Sequence, residues 1–243
     1  MIEVAGLTRY YGETLAVGDL SFNVGPGEVM GLVGPNGAGK TTTLRCLVGL
    51  IMPTAGSVSI SGADLKQDAP RAKAALAFVP DEPNLFEYLT VEEHLMFIAR
   101  MYGVADAASR ITPLLTELEL VEKRRSLPGE LSRGMRQKLA IACALLHNPH
   151  ALILDEPLTG LDPAGIRKMR ATIAQRARDG AAVLLSSHLL PLVEELCTHI
   201  LVLDRGHRVA YGTMESVMAA RPELAGQGLE EVFLALTGDR SRA

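Results

Sequence analysis

Apolar residues recur along the chain in two rhythms. Short runs bounded by glycine, proline or polar turns occur at Ile2 to Leu7, Leu20 to Val24, Val29 to Val33, Val58 to Ile60 and Ala75 to Val79. Others follow at Ala151 to Leu154, Ala181 to Leu185 and Ile200 to Leu203. Runs of this length and bounding predict strands. Between them, longer stretches with helical spacing predict helices over Lys40 to Leu50, Thr90 to Tyr102, Ala107 to Leu118, Ser132 to His147, Ala164 to Arg178 and Leu189 to Cys197. Punctuation supports these limits. Thr90 with Glu93 is a capping box, Ser132 is a good N-cap, and Pro128-Gly129 and Asn148-Pro149 are breaks.

The order of elements predicts an α/β fold. Residues 1–80 read as a β-rich start, and residues 81–147 read as an inserted helical subdomain. From Ala151 a β/α alternation resumes to about residue 213, the rhythm of a mostly parallel sheet with helices on both faces. In such sheets ligands sit at the strand C-termini. The tail, residues 214–243, places Leu229, Val232, Phe233 and Leu236 at helical spacing, to pack back on the body or to meet a partner.

Composition narrows the classes. With 243 residues and 48% hydrophobic content the chain can bury a sizeable core. Its longest unbroken apolar run, Leu139 to Leu146, falls far short of the roughly 18 residues a membrane span needs, so none is expected. Met1 to Val4 lacks the pattern of a signal peptide, which makes the cytosol the expected compartment. Net charge −4 argues against nucleic acid as a partner, and no basic helix suits lipid headgroups. Cys46, Cys143 and Cys197 lack metal-ligand spacing and read as buried small residues.

The candidate chemistry begins at Gly34-Pro35-Asn36-Gly37-Ala38-Gly39-Lys40-Thr41, followed by Thr42. Glycine, four residues, then Gly-Lys-Thr between a strand and a helix is the phosphate-loop pattern. Glycines let backbone N–H groups turn onto a polyphosphate, and the helix start adds aligned dipoles. Lys40 is positioned for the β and γ phosphates and Thr41 for Mg²⁺. A bare glycine-rich turn is the plain alternative; the flanking strand and helix favour the nucleotide site. Further on, Ala151 to Leu154 runs into Asp155-Glu156, two carboxylates at the mouth of a buried strand, which a cation would offset. Asp155 suits Mg²⁺, and Glu156 suits orienting a water in line with the γ-phosphate. His188 follows another buried strand at Ser186-Ser187 and is either catalytic or structural. Tyr11, before Gly12, could stack on a base.

These residues resemble the nucleotide-binding subunit of an ATP-binding cassette (ABC) transporter, over nearly the whole chain. Leu131-Ser132-Arg133-Gly134-Met135 is similar to that family's signature sequence, Leu161-Asp162 to its D-loop, His188 to its H-switch and Tyr11 to its adenine-stacking aromatic. The resemblance implies a P-loop NTPase core with an N-terminal antiparallel β subdomain and an inserted helical subdomain, and hydrolysis of ATP with Mg²⁺. It further implies a head-to-tail dimer in which Ser132, Gly134 and Asp162 of one copy meet the nucleotide of the other, and a separate membrane permease that holds the chain at the cytoplasmic face. Asp162-Pro163 is also an ordinary helix start, and both roles can coexist. Met135-Arg136-Gln137-Lys138-Leu139 and Leu229-Glu230-Glu231-Val232-Phe233 look like ATPases of bacterial ABC-2 exporters. Two departures stand out. Asp81 occupies the place of the family's glutamine, a candidate metal ligand that can accept but not donate; Arg133 and Met135 replace glycine and glutamine. Leu85, Phe86 and Tyr88 lie where the family docks its permease, as exposed anchors or as core. A soluble ATP-driven clamp without a permease and a small-molecule kinase are the alternative functions.

Overall fold

The computed structural model describes residues 1–238. Strands β1 (Ile2–Tyr11) and β2 (Thr14–Val24) form a hairpin that pairs Tyr11 with Thr14. Both run further than the apolar pattern predicts, because Gly12 takes a φ of 59° and lets the chain reverse within two residues. Strand β3 (Val29–Val33) crosses to a second sheet, while β4 (Ala55–Ile60) and β5 (Ala63–Asp64) complete the first, an antiparallel sheet ordered β2-β1-β4-β5.

The second sheet gains β6 (Leu76–Val79), β7 (Ala151–Asp155), β8 (Ala182–Ser186), β9 (His199–Asp204) and β10 (His207–Thr213). Its order is β10-β9-β3-β8-β7-β6, with β3 near the centre; five strands run parallel and β10 pairs antiparallel with β9. Strand β10 lies beyond the predicted set, since its residues are mostly half-buried or exposed and leave little apolar alternation to read. It ties the sheets together: the Tyr211 hydroxyl accepts from the Asn23 N–H at 3.2 Å and lies 2.8 Å from Asn23 Oδ1.

Helices fill the intervals: α1 (Lys40–Leu47), α2 (Ala69–Ala74), α3 (Val91–Met101), α4 (Ala107–Glu117) and α5 (Arg133–Leu145), then α6 (Pro163–Arg178), α7 (Leu190–Leu196), α8 (Met214–Ala219) and α9 (Leu229–Thr237). The predicted capping box opens α3: Thr90 Oγ1 accepts from the Glu93 N–H at 3.3 Å, and Glu93 Oε2 accepts from the Thr90 N–H at 2.8 Å. Among the described residues no helix is long and apolar enough to cross a membrane.

Alternation along the parallel strands divides the core in two. Val29, Val33, Leu152, Leu154, Val183, Leu185, Ile200 and Val202 point to one face, packed with residues of α3 to α7 and α9. Met30, Leu32, Ile153, Leu184, Leu201 and Leu203 point to the other. That second face is closed by α1, α2 and the antiparallel sheet, so helices lie on both faces as expected, with the antiparallel sheet covering the rest of the second. Ile2, Leu7, Leu20 and Ile60 of the first sheet are fully buried there, and each such side chain contributes about 1.5–3 kcal/mol. Gly31 lets α7 lie close on the first face: a Cβ there would stand 2.5 Å from Val193 Cγ1.

Candidate functional site

Parallel pairing delivers the C-terminal ends of β3, β7 and β8 to one edge of the sheet, beside the turn that follows β6. A cavity of about 580 Å³ opens there. Gly34 to Thr42 form one wall, and Asp81, Asp155, Glu156, Ser187 and His188 line it from the neighbouring strand ends. The candidate phosphate and metal residues therefore converge.

The loop from Gly34 to Gly39 has the backbone that its glycines permit. Gly37 and Gly39 take φ of 78° and 101°. A Cβ on Gly34 would stand 2.4 Å from the Leu203 carbonyl oxygen, and one on Gly39 2.5 Å from that of Ala16. Helix α1 starts directly after Gly39, with no side chain capping it. Its first N–H groups thus lack a side-chain acceptor, which leaves an anion site of backbone donors. The Lys40 ammonium donates to the carbonyls of Gly34 at 2.5 Å and Pro35 at 3.1 Å. Burial lowers the Lys40 pKa, against the pull of the Glu156 and Asp155 carboxylates. A partly desolvated cation above that loop suits a polyphosphate.

The carboxylates are held by β8. Asp155 pairs in register with Ser186, whose hydroxyl donates to Asp155 Oδ1. The strand ends at Glu156 in a left-handed turn, φ 49°, with the Glu156 N–H donating to the Ser186 carbonyl at 3.1 Å. Glu156 Oε2 lies 2.9 Å from His188 Nδ1, close enough for an ion pair. Yet the angles miss hydrogen-bond geometry, so this buried oxygen has no hydrogen-bond donor. An unpartnered buried acceptor costs stability and is free to take a proton or a water.

The donor set fits a nucleotide triphosphate with Mg²⁺. The Thr41 hydroxyl and the Asp155 and Asp81 carboxylates put hard oxygen donors, of the kind Mg²⁺ takes, on the cavity wall. Among the described residues no group of three or more His, Cys, Asp and Glu could hold a metal by itself, and Mg²⁺ characteristically uses one or two carboxylates plus phosphate oxygens.

Other predicted site residues stand apart. Ser132 caps α5, accepting from the Met135 N–H at 3.3 Å, and Asp162 caps α6, accepting from the Gly165 N–H at 2.8 Å. Gly134 backs onto the loop after β7, where a Cβ would come within 2.8 Å of the Gly160 carbonyl oxygen. None of these three lines the cavity of its own chain. Tyr11 does not line it either; its exposed ring carries the Arg9 guanidinium 4.9 Å from its centroid. Leu85 packs against the core, whereas Phe86 and Tyr88 are 54% and 88% exposed. Phe233 of α9 and Leu190 of α7 also line the cavity, though sequence reasoning assigned them no such place. Helical spacing foretold that α9 would pack, and Leu229 and Val232 are buried, but spacing does not say against what.

The family described as ABC transporter matches residues 17–159. Over 239 residues the chain is 34% identical to the ABC-type transporter ATP-binding protein EcsA of Bacillus subtilis, covering 98% of this chain and 96% of that one. Over 221 residues it is 39% identical to the Nod factor export ATP-binding protein I of Burkholderia pseudomallei, covering 90% and 73%. A solved structure of an ATP-binding subunit of an ABC transporter superposes with TM-score 0.92 at 36% identity, over 97% of this chain and 99% of that one. The dimeric post-hydrolysis structure of the cassette MJ0796, bound to ADP and Pi, gives TM-score 0.79 at 26% identity, over 88% and 99%. Matched loop, carboxylates and fold agree: the chain belongs to the ABC transporter family and carries its ATP-binding domain.

Proposed function

We propose that the chain binds and hydrolyses Mg²⁺·ATP as one half of a head-to-tail dimer and thereby drives a separate membrane permease, in the direction of export. The observation that carries this reading is the single cavity in which the Gly34–Thr42 loop faces Asp155 and Glu156. The placement of Ser132, Gly134 and Asp162 away from that cavity supports their use by a second copy. Ser132 leaves a hydroxyl and a helix start at the α5 tip, a place that favours a phosphate.

In this mechanism Lys40 leaves the Gly34 and Pro35 carbonyls for the β and γ phosphates. Thr41, Asp155 and Asp81 would hold Mg²⁺, which would supply positive charge to offset that of the phosphate oxygens. Ser186 fixes the orientation of Asp155 by donating to Oδ1. Glu156 orients the attacking water and takes its proton at the otherwise unpartnered Oε2, while the bond from the γ-phosphorus to the bridging oxygen breaks. His188 Nδ1 stands 2.9 Å from that oxygen without hydrogen-bonding it, and in this reading turns to donate once nucleotide is bound. Tyr11 stacks on adenine.

Residues 1–80 and 148–213 form the nucleotide-binding core in this reading, residues 81–147 the helical arm and residues 214–243 the tail. Residues 239–243 of the tail lie outside the described residues. Phe86, Phe97 and Met101 present exposed apolar surface on the arm, and the Phe86 and Phe97 rings meet edge to face at 5.2 Å, a suitable anchor for a permease at the cytoplasmic membrane face. The exporter assignment follows the relatives that carry export in their names. Tagged chain recovered from detergent-solubilised membranes should bring an integral membrane protein with it, in stoichiometric amount. Recovery without any such protein would contradict the permease reading.

A further inference from the structure

Asp81 and Arg133, two of the three residues that depart from the family resemblance, are brought together by the fold across 52 positions of sequence. Arg133 Nη2 lies 3.5 Å from Asp81 Oδ1. Asp81 lines the nucleotide cavity, whereas Arg133 stands at the tip of α5 between Ser132 and Gly134. The arginine stem is packed as well. It lies along Gly160, φ 78°, where a Cβ would come within 3.1 Å of Arg133 Cδ. One guanidinium therefore spans the cavity wall, the α5 tip and the loop that follows β7.

Asp81 has a second claim on its charge. Only Oδ1 faces the guanidinium, so the carboxylate has room for both cations, but a guanidinium and a dication held on one carboxylate repel each other and each weakens the other's hold. The ion pair is also easily exchanged: its side chains are 56% and 45% exposed, and pairs of that kind are worth only about 1.4- to 5-fold in an equilibrium constant.

We propose that Arg133 is a positioning residue for Asp81: it holds the carboxylate in the nucleotide-free chain and gives it up when Mg²⁺·ATP enters, so that loading of the cavity frees a cation at the α5 tip. The inference rests on the reading of this cavity as the Mg²⁺·ATP site. Linkage makes it reciprocal, because an anion that engages Arg133 at the α5 tip must tighten Mg²⁺·ATP binding by the same factor. A phosphate presented by a second copy of the chain has the required chemistry.

The test is equilibrium binding of labelled ATP to wild type and Arg133→Met, with Mg²⁺ and with EDTA. Methionine keeps an apolar stem on Gly160 and removes the charge. Affinity for Mg²⁺·ATP should rise about two- to five-fold, and affinity for metal-free ATP should fall, since the unpaired Asp81 carboxylate then faces the phosphates. In an Asp81→Asn background Arg133→Met should lose this split, and Arg133→Lys should restore the wild-type pattern. Without nucleotide, amide hydrogen exchange over residues 81–86 should be faster in Arg133→Met than in wild type. The proposal is overturned if both affinities move the same way, if the split persists with Asp81→Asn, or if exchange is unchanged. A wild-type chain that fails to bind Mg²⁺·ATP would overturn the cavity reading, and this inference with it.

Discussion

Replacing Glu156 by Gln removes one charge and almost no volume from a side chain that is only 16% exposed. The fold should survive, because the backbone bond from the Glu156 N–H to the Ser186 carbonyl does not depend on the side chain. What disappears is an acceptor able to take a proton from water at a buried oxygen that has no other donor. Loss of a general base costs about 10²–10⁴ in rate, or roughly 2.7–5.5 kcal/mol of barrier at 1.36 kcal/mol per decade. Binding should move the other way. Glu156 carries a negative charge on the wall of a cavity meant for a polyanion, so its neutralisation leaves ATP bound as tightly or more tightly. Phosphate release at saturating Mg²⁺·ATP, read beside nucleotide retention on a filter, separates the two effects. Turnover within about tenfold of wild type, with the fold intact, would refute Glu156 as the base. Loss of nucleotide binding would refute the placement of its charge.

Further predictions concern the scaffold. Gly39→Ala places a Cβ at φ 101° and 2.5 Å from the Ala16 carbonyl oxygen; it should destabilise the chain by at least ~1 kcal/mol in a denaturant titration and weaken nucleotide binding. The Lys138 and Lys168 ammonium groups, at 2.7 and 3.0 Å, hold the Glu119 pKa well below its ordinary 4.5, down to about 2. A depressed carboxylate stabilises fully above its unfolded value and loses that contribution as pH falls through the folded one. Accordingly the difference in Tm between wild type and Glu119→Gln should be constant above about pH 5 and shrink between pH 4.5 and 2.

Much of this site could be read from the chain because its chemistry is local. The phosphate loop lies in eight consecutive residues, and Asp155-Glu156 follow directly on the run that forms β7. Strand and helix identity followed from apolar period, and both caps, Thr90 and Ser132, hold as expected. What escaped depends on contacts between distant segments. Phe233 reaches the cavity only because α9 docks beside α7, where Glu194 accepts from the Leu229 N–H at 2.8 Å. Strand β10 is created by pairing with β9 rather than by its own alternation. The Asp81 to Arg133 pair joins the turn after β6 to the first residue of α5, which no sequence interval relates. Phe86 and Tyr88 looked alike as apolar residues near Leu85, and only the packed structure separates the core residue from the two exposed ones.

The account stands on the grip of the Gly34–Thr42 loop on a triphosphate. Equilibrium retention of labelled ATP in the presence of Mg²⁺, compared between wild type and Lys40→Ala, tests it most directly. Saturable binding by wild type, weakened about ten- to a hundred-fold when the charge-assisted contacts of Lys40 are lost, is the result expected. Equal retention by both proteins, or none by a folded wild-type chain, would contradict it.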